Sequence, residues 1–305
     1  MRWKPVRLIP DGTKYPFMRL SRFGFVVSGI LCAASIVLFA TLGLNYGIDF
    51  KGGSVITVRT AGPAQIDQLR TTLNGLGIGG VELQQFGGPS DVLIRLAAQG
   101  DDKAEQVAQA KVKQALGTGV EIRSTETVGP KVSQELTEQA IAAVMLSLFF
   151  VLIYLWVRFE WQFAVGAILS LLHDVTLSIG LFCLIGLEFN LSIIAAILTI
   201  IGYSLNDTVV VFDRIREYLR KYKSMPLADL IDFSINSVLP RTILTSVATM
   251  MALLSLYLFG GEVIRGFTFA MIWGVVVGTY SSIFIASPVL ILLGTKREMA
   301  GAEKI

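Results

Sequence analysis

Six long apolar segments constrain this chain more than any other feature of its sequence. A helix needs about 20 apolar residues to cross a hydrocarbon core about 30 Å thick, and each segment is about that long. Over the whole chain 53% of the residues are hydrophobic and 16% are charged, with a mean hydropathy of +0.64, whereas soluble domains carry about 25% charged residues. The sequence therefore predicts a polytopic α-helical membrane protein with six transmembrane helices. We expect these at residues 23–44, 140–157, 163–185, 191–212, 242–259 and 263–293.

The first of these segments follows Arg19 and Arg22, as the apolar region of a secretory signal peptide would. Its apolar run is longer than the roughly 7–15 residues of such a region, and no convincing small-residue cleavage site follows it. We therefore expect it to remain in the protein as an uncleaved first span.

The distribution of positive charge predicts how the spans are oriented. Lys and Arg concentrate in short cytoplasmic connections, and here they concentrate in residues 1–22, in the connection 213–240 and in the tail 294–305. The turns 186–190 and 260–262 carry none. Both termini are therefore expected in the cytoplasm, and the segment between the first two spans outside it. The basic residues used are Arg2, Lys4, Arg7, Lys14, Arg19, Arg22, Arg214, Arg216, Arg220, Lys221, Lys223, Lys296 and Arg297.

The outside segment, residues 45–138, has the pattern of a small folded α+β domain. Residues 54–60, 81–86, 91–97 and 120–128 have strand character, and residues 63–76 and 101–116 have helical spacing. The order β-α-β-β-α-β is that of a ferredoxin-like fold, and a generic α+β insert is the alternative. Both cysteines, Cys32 and Cys183, lie in apolar segments, so this domain is expected to be stable without a disulfide.

Ionisable residues inside the apolar segments indicate where function lies. A charged side chain near the bilayer centre costs about 2.5–3.5 kcal/mol on insertion scales, so it is a functional hypothesis by default. Asp174 is central in its span. Arg241 follows Pro240 near the cytoplasmic end and could instead extend to the interface, and Asp207 could be solvated near the same boundary. Polar residues recur at four-residue spacing on these spans, so we expect polar faces to meet inside the bundle around groups that carry or neutralise a proton.

Other patterns argue against chemistry. Gly274, Gly278 and Ser282 form a stripe of small residues, which predicts close helix packing and not a reactive site. The sequence has no His-Glu-x-x-His motif, no phosphate-binding glycine loop and no Gly-x-Ser-x-Gly motif. We therefore expect no catalytic active site and no bound cofactor or metal.

Several motifs resemble the SecF family of the bacterial Sec protein-export machinery, from the first span to the last. The most distinctive is the fourth-span stretch Ile201-Gly202-Tyr203-Ser204-Leu205-Asn206-Asp207-Thr208-Val209-Val210 with Phe212-Asp213-Arg214-Ile215-Arg216-Glu217 after it. The others are Gly47-Ile48-Asp49-Phe50-Lys51-Gly52-Gly53, Val128-Gly129-Pro130, His173-Asp174-Val175, Arg241-Thr242, and Gly260-Gly261 to Gly266-Phe267. Ser133 departs from the pattern, because the family often has glycine there.

The resemblance implies a subunit of the resistance-nodulation-division superfamily in the bacterial inner membrane, with residues 45–138 in the periplasm. It implies that this subunit pairs with SecD, associates with the SecYEG channel, and uses the proton-motive force to help unfolded preproteins leave that channel. YajC and YidC are further candidate partners, and nucleic acid is not expected to bind. By motif match, Asp207 and Arg241 lie on the proton path.

These observations lead to a mechanistic hypothesis. Asp207 alternates between an ionised form paired with Arg241 and a protonated form, and the change moves the outside domain about two hinges. We expect those hinges at Asp49, Gly52 and Gly53, and at Gly129 and Pro130. Further candidate relay groups are Asp174, His173 and Asn206.

The sequence leaves open three alternative functions and the identity of the coupling ion. The chain could be a small-molecule or lipid exporter of the same superfamily, an assembly factor whose membrane charges are structural pairs, or an intramembrane protease. Carboxylates with hydroxyl neighbours serve sodium ions as well as protons, so sodium is the alternative coupling ion.

Overall fold

The computed structural model describes residue 10 and residues 12–85, 88–117, 119–261 and 263–295. Five of the basic residues that predict the orientation lie outside these ranges, namely Arg2, Lys4, Arg7, Lys296 and Arg297, and so does Phe86 of the second predicted strand. The described elements are α1 Phe17–Leu42, β1 Asn45–Tyr46, α2 Ile48–Lys51, β2 Gly53–Thr60, α3 Ile66–Asn74, β3 Val81–Gln85, β4 Asp91–Leu96, α4 Asp102–Leu116, β5 Val120–Val128, α5 Pro130–Arg158, α6 Trp161–Ile185, β6 Glu188–Phe189, α7 Leu191–Lys221, α8 Leu227–Phe259, α9 Arg265–Ser281, a π-helical segment Ser282–Ala286, and α10 Ser287–Leu292.

These elements form two compact units. The helical unit lies within residues 1–44, 145–187 and 192–305, and the α+β unit within residues 45–144 and 188–191. Residues 188–191 come from the turn between α6 and α7, far along the chain from the other residues of the α+β unit. Residues 188–191 therefore belong to the α+β unit, whereas the chain on both sides of them belongs to the helical unit.

The α+β unit is built on a four-stranded sheet with the strand order β3-β4-β2-β5, in which all neighbours are antiparallel. Its elements follow in the order β2-α3-β3-β4-α4-β5, which is the order expected from the sequence. Apolar side chains of one sheet face, including Ile56, Val58 and Ile94, pack with Leu73 of α3 and Val112 of α4. Burying these groups stabilises the unit by about 1.5–3 kcal/mol for each large aliphatic side chain.

The turn between α6 and α7 is attached to this unit by three kinds of contact. β6 pairs in parallel with β1, and the carboxylate of Asp49 accepts a hydrogen bond from the backbone N–H of Leu191 at 2.9 Å. The guanidinium of Arg95 forms an ion pair with Glu188 at 2.9 Å. Burial raises the pKa of Glu188 above its ordinary value, although the positive charge of Arg95 opposes this effect.

The raised pKa of Glu188 predicts a pH dependence. An acid whose pKa is higher in the folded than in the unfolded state stabilises the fold at low pH, and this contribution is lost as pH rises through the folded pKa. We expect the contribution of Glu188 to the stability of the α+β unit to fall as pH rises from the ordinary pKa of a glutamate through its raised pKa in the folded state, and Glu188→Gln to remove that fall. To measure this dependence, the full chain is denatured at each pH. The unfolding of the α+β unit is then read by amide labelling at one fixed pH.

Glu82→Gln is the matched control for that experiment. Glu82 also lies within 3.4 Å of Arg95, but its side chain is 72% exposed, so its removal should leave the slope with pH unchanged. Equal slopes for the wild type and Glu188→Gln would contradict the prediction.

Among the described residues, six helical segments are long and apolar enough to span a membrane: α1, α5, α6, α7, α8 and the run Arg265–Leu292. The chain is therefore a polytopic helical membrane protein, as predicted. The helices extend beyond the apolar segments, because polar residues can continue a helix outside the hydrocarbon core. The connection expected at 213–240 is helical except at 222–226, and α8 continues through Pro240.

The last membrane-crossing segment is interrupted by the π-helical residues Ser282–Ala286, directly before Ser287 and Pro288. A proline has no N–H to donate and its ring collides with the carbonyl four residues earlier, and a π-type turn is one way to relieve that conflict. The hydroxyl of Ser287 donates to the carbonyl of Ser282, five residues earlier, at 2.8 Å. This irregular turn orients Ser281 and Ser282, both fully buried, toward neighbouring helices.

Candidate functional site

Helix α6 carries the more deeply buried of two membrane carboxylates. Asp174 is 1% exposed. Its Oδ1 lies 2.9 Å from Nδ1 of His173, and its Oδ2 accepts hydrogen bonds from the hydroxyls of Ser204 at 2.5 Å and Ser281 at 2.8 Å. A buried charge is tolerated only where polar partners replace its hydration, and three elements, α6, α7 and α9, supply those partners here.

Helix α7 carries the second carboxylate, Asp207, which is 8% exposed. Its Oδ1 accepts a hydrogen bond from the hydroxyl of Thr242 at 2.9 Å, and its Oδ2 accepts one from Ser282 at 2.7 Å. Each oxygen therefore has a donor from a different helix, α8 on one side and the π-helical segment on the other. Donors of this kind stabilise the ionised form of a carboxylate, whereas burial favours the protonated form. Two opposing effects therefore act on the proton affinity of Asp207.

Consecutive serines join the two carboxylates. Ser281 donates to Asp174 and Ser282 donates to Asp207, so one turn of chain reaches both acids. The sequence-based interpretation of Ser282 as a packing residue is therefore wrong, because its hydroxyl contacts Asp207. The packing prediction applies to the glycines: a Cβ on Gly278 would lie 3.0 Å from the Cβ of Ser204.

His173 extends this polar cluster toward α1. The residue is 6% exposed, and its buried Nε2 has no hydrogen-bond partner among the described residues. Its ring lies 6.0 Å from that of Tyr280, whose hydroxyl is 2.9 Å from Ser28 and 3.1 Å from the carbonyl oxygen of Gly24. The structure thus brings His173 and Asp174 into one cluster with groups on α1 and α9.

Two other predicted site residues face outward. Arg241 and Asn206 are exposed in the chain, and within the described residues Arg241 forms no ion pair at 4.0 Å or less. Thr242, the next residue, is the one that contacts Asp207. The pairing of Asp207 with Arg241, and a relay role for Asn206, stay predictions.

The predicted hinge residues lie just before or at the start of β2 and directly after β5. Gly52 and Gly53 have φ of +70° and +108°, a region that residues with a Cβ rarely adopt. The carboxylate of Asp49 accepts a hydrogen bond from the backbone N–H of Leu191 at the start of α7. Pro130 is the first residue of α5, where its missing N–H is not needed, and the carbonyl of Gly129 accepts from the second turn of that helix. Motion about these residues stays a prediction.

Sequence reasoning overlooked the hydroxyl donors of the site. Serine and threonine are common in membrane helices because they allow close packing. Residue type alone therefore did not distinguish the donors Thr242, Ser281 and Ser282 from packing residues. A usable signal was the pair of adjacent serines just before the Ser-Pro sequence at 287–288, a position where a helix is expected to be irregular. Among the described residues, no three His, Cys, Asp or Glu side chains are grouped as metal ligands.

Two family models match the chain. The model for the protein export membrane protein SecD/SecF, C-terminal, matches residues 108–296, and the model for the SecD/SecF GG motif matches residues 37–64. The second range contains Gly52 and Gly53, and the first contains both buried carboxylates. Together the two matches cover residues 37–64 and 108–296, which leaves out most of α1 and residues 65–107 of the α+β unit.

Individual proteins resemble the chain over most of its length. The protein translocase subunit SecF of Cereibacter sphaeroides is 43% identical, over 96% of this chain and 93% of that protein. The protein translocase subunit SecDF of Brucella abortus is 45% identical, over 95% of this chain and 39% of that protein. The crystal structure of SecDF from Thermus thermophilus, described as a translocon-associated membrane protein, superimposes with a TM-score of 0.85 at 34% identity, covering 96% of this chain and 40% of that one. The chain therefore spans nearly all of a SecF protein and about two fifths of a SecDF protein.

Proposed function

The chain belongs to the SecD/SecF family of protein-export membrane proteins, and on that premise we propose that it converts an ion gradient into work on exported polypeptides. Its relatives are named as translocase subunits and not as enzymes. The chain is the SecF-type half of that machinery, and it acts with SecD to draw unfolded preproteins out of the SecYEG channel. YajC and YidC are further proposed partners.

The observation that carries this proposal is the pair of buried carboxylates. An unneeded charge in a membrane helix costs about 2.5–3.5 kcal/mol. Asp174 and Asp207 are both buried, and among the described residues their carboxylate oxygens bond to serine and threonine hydroxyls and to His173. A carboxylate without a cationic partner in contact can take up a proton without breaking a salt bridge. Such a group is suited to carry a proton between two sides of a membrane.

The proposed cycle follows from the competing effects on Asp207. The hydroxyls of Thr242 and Ser282 stabilise its ionised form against the effect of burial, and proton entry from the outer side neutralises it. Release of the proton to the cytoplasmic side restores the negative charge of Asp207, and the positive charge of Arg241 favours that release. One charge that crosses about 100 mV supplies about 2.3 kcal/mol, which is sufficient to shift a helix pair between two arrangements. The proposed coupling ion is the proton, and sodium is the alternative.

An uncovered polar face on α7 supports a helical partner. Ala195, Thr199, Gly202 and Asn206 are exposed and recur on one side of this helix, and a Cβ on Gly202 would meet nothing within 4 Å. Exposed Arg241 lies on α8. An amide and a guanidinium facing lipid are unfavourable, whereas small residues let another helix approach closely. We assign this face to the SecD half.

Gly202→Leu tests that assignment. A leucine there should reduce co-purification of SecD with the chain by at least about tenfold, because it fills the space that a closely packed partner helix needs. The chain itself should insert normally, since no described residue occupies that space. Quantitative pull-down from detergent extracts measures the effect.

Gly29→Leu is the control, because Gly29 is also an exposed glycine of a membrane helix with nothing within 4 Å. Its substitution should leave co-purification unchanged. Retention of SecD by Gly202→Leu at the wild-type level would move the partner surface elsewhere.

The proposed location is the bacterial inner membrane, with both termini in the cytoplasm. The α+β unit is then a periplasmic domain, and its strand order β3-β4-β2-β5 supports a ferredoxin-like fold. That unit would contact preprotein outside the membrane, while the buried carboxylates take up and release the ion inside it.

Ion flux in a defined system tests the proposal. Vesicles containing the chain, SecD and an unfolded client polypeptide are given a proton gradient or a sodium gradient of equal size. We expect proton uptake that depends on the client. Uptake driven only by sodium would change the ion, and the lack of client-dependent flux with either ion would favour a structural role in assembly.

A further inference from the structure

The two serines that join the carboxylates each face two acceptors. The hydroxyl of Ser281 lies 2.8 Å from Oδ2 of Asp174 and 3.2 Å from the carbonyl oxygen of Gly278. The hydroxyl of Ser282 lies 2.7 Å from Oδ2 of Asp207 and 3.0 Å from the carbonyl oxygen of Thr279. A hydroxyl has one hydrogen to donate, so each serine bonds well to either its carboxylate or its own helix, but not to both.

That choice depends on the charge of the carboxylate. A hydrogen bond to an ionised acceptor is about twice as strong as one between neutral groups, so the serine donates to the carboxylate while it is ionised. Once the carboxyl group is protonated, this advantage disappears and the backbone carbonyl becomes the competing acceptor. Each serine therefore responds to the protonation of the acid it touches.

We propose that Ser281 and Ser282 are positioning residues that couple the protonation of Asp174 to that of Asp207. The coupling deepens the proposed function and rests on it. In the proposed coupling, the backbone of this turn shifts when Ser282 changes its acceptor from Asp207 to the carbonyl of Thr279. The shift moves the consecutive Ser281 relative to Asp174. The two acids then change state as a pair and not independently.

The local backbone favours such a concerted rotation. The serines lie where α9 ends and the π-helical segment begins, and π-type turns have a less regular hydrogen-bond pattern than an α-helix. The hydroxyl of Ser287 bonds the carbonyl of Ser282, which ties the turn to one register. A second link runs through α7, since Ser204 bonds Asp174 three residues before Asp207 in the same helix.

Other titratable groups surround the pair and belong in the description of its pH dependence. On α6, His173 contacts Asp174. On α1, Cys32 lies within electrostatic range of Asp174. On α9, Tyr280 lies beside His173, and on α8, Arg241 acts electrostatically on Asp207. On α7, the hydroxyl of Tyr203 donates to that of Ser246 on α8. None of these groups bridges both acids, whereas the two serines together do.

The test measures both acids in single-serine variants of the complex with SecD in lipid nanodiscs. Infrared difference spectra report the protonated carboxyl bands, and loss of a band in Asp207→Asn or Asp174→Asn assigns it. Ser282→Ala should move half-protonation of Asp207 upward by about one pH unit, because the ionised form loses a donor. It should also move that of Asp174 in the same direction by a smaller amount, although Ser282 does not touch Asp174. Ser281→Ala should give the reciprocal pattern.

Two further variants make the result specific. Ser282→Thr retains the hydroxyl and should restore both titrations. Ser234→Ala removes another buried serine hydroxyl of the helical unit, one that bonds only the carbonyl of Leu230, and should change neither. A shift confined to the acid that the altered serine touches would overturn the coupling, and no shift in either acid would overturn the positioning role.

The proposed function fails in a different way. If Asp207→Asn leaves client-dependent proton uptake at the wild-type rate, Asp207 is not on the proton path, whatever the serine variants do. If Asp207→Asn abolishes uptake and the serine variants titrate like the wild type, the proposed function stands and the coupling is wrong.

Discussion

Replacement of Asp207 by asparagine is expected to reduce client-dependent proton uptake by at least about 100-fold. Groups that take up and release protons in a rate-limiting step contribute about 10²–10⁴-fold, and an amide cannot bind a proton at any relevant pH. The amide oxygen can still accept a hydrogen bond from Thr242 or Ser282, so the fold and the complex should persist. Proton uptake by vesicles that contain the chain, SecD and client polypeptide measures the effect.

Asp213→Asn is the matched control for this variant. Asp213 lies on the same helix and undergoes the same chemical change, but it is 41% exposed and pairs with Arg158 at 2.6 Å. An exposed pair of this kind contributes little to stability, so uptake should stay near the wild-type rate. Normal uptake by Asp207→Asn, with SecD still bound, would remove Asp207 from the proposed path.

Replacement of Gly53 by alanine is expected to destabilise the α+β unit by about 3 kcal/mol or more. With φ at +108°, this position lies in a region that costs an L-residue about 1–2 kcal/mol or more. A Cβ there would also lie 2.2 Å from the carbonyl oxygen of Leu96 on the adjacent strand. Relief of that collision requires β2 and β4 to separate where they pair. Hydrogen exchange of the full chain should show faster exchange in both strands.

Gly62→Ala controls for the substitution itself. Gly62 follows β2, has no positive φ, and a Cβ there would meet nothing within 4 Å. Its exchange pattern should match the wild type. Wild-type exchange in Gly53→Ala would show that the sheet accommodates the added methyl group, and it would contradict the prediction.

The elements of the α+β unit were predictable because their signals are local. Alternating β-branched residues at 54–60 become β2, and the helical spacing at 101–116 becomes α4 with Asp101 as its N-cap. The attachment of residues 188–191 to this unit was not predictable. It depends on contacts of Asp49 and Arg95 with residues far along the chain, and no local pattern indicates such a contact.

At the candidate site, the buried acids were predictable from the sequence, whereas their hydrogen-bond donors were not. A lone Asp in an apolar helix stands out in the sequence because its transfer into the bilayer is costly, so Asp174 and Asp207 could be singled out. Their donors could not, since serine and threonine are ordinary residues of membrane helices. A pairing of Arg241 with Asp207 was predicted from the motif match, whereas the hydrogen bond to Asp207 in the structure comes from Thr242.

The sequence by itself determined the class of the protein, the number of membrane-spanning segments, the element order of the α+β unit and the acids that carry the site. These follow from the free energy of burying apolar and charged groups, which each segment expresses alone. The tertiary structure decided that Ser281 and Ser282 reach both acids, that Arg241 faces outward, and that one turn joins the α+β unit. Those features depend on which helix faces are apposed and on an irregular turn before Pro288, and both are properties of packed helices and not of any one segment.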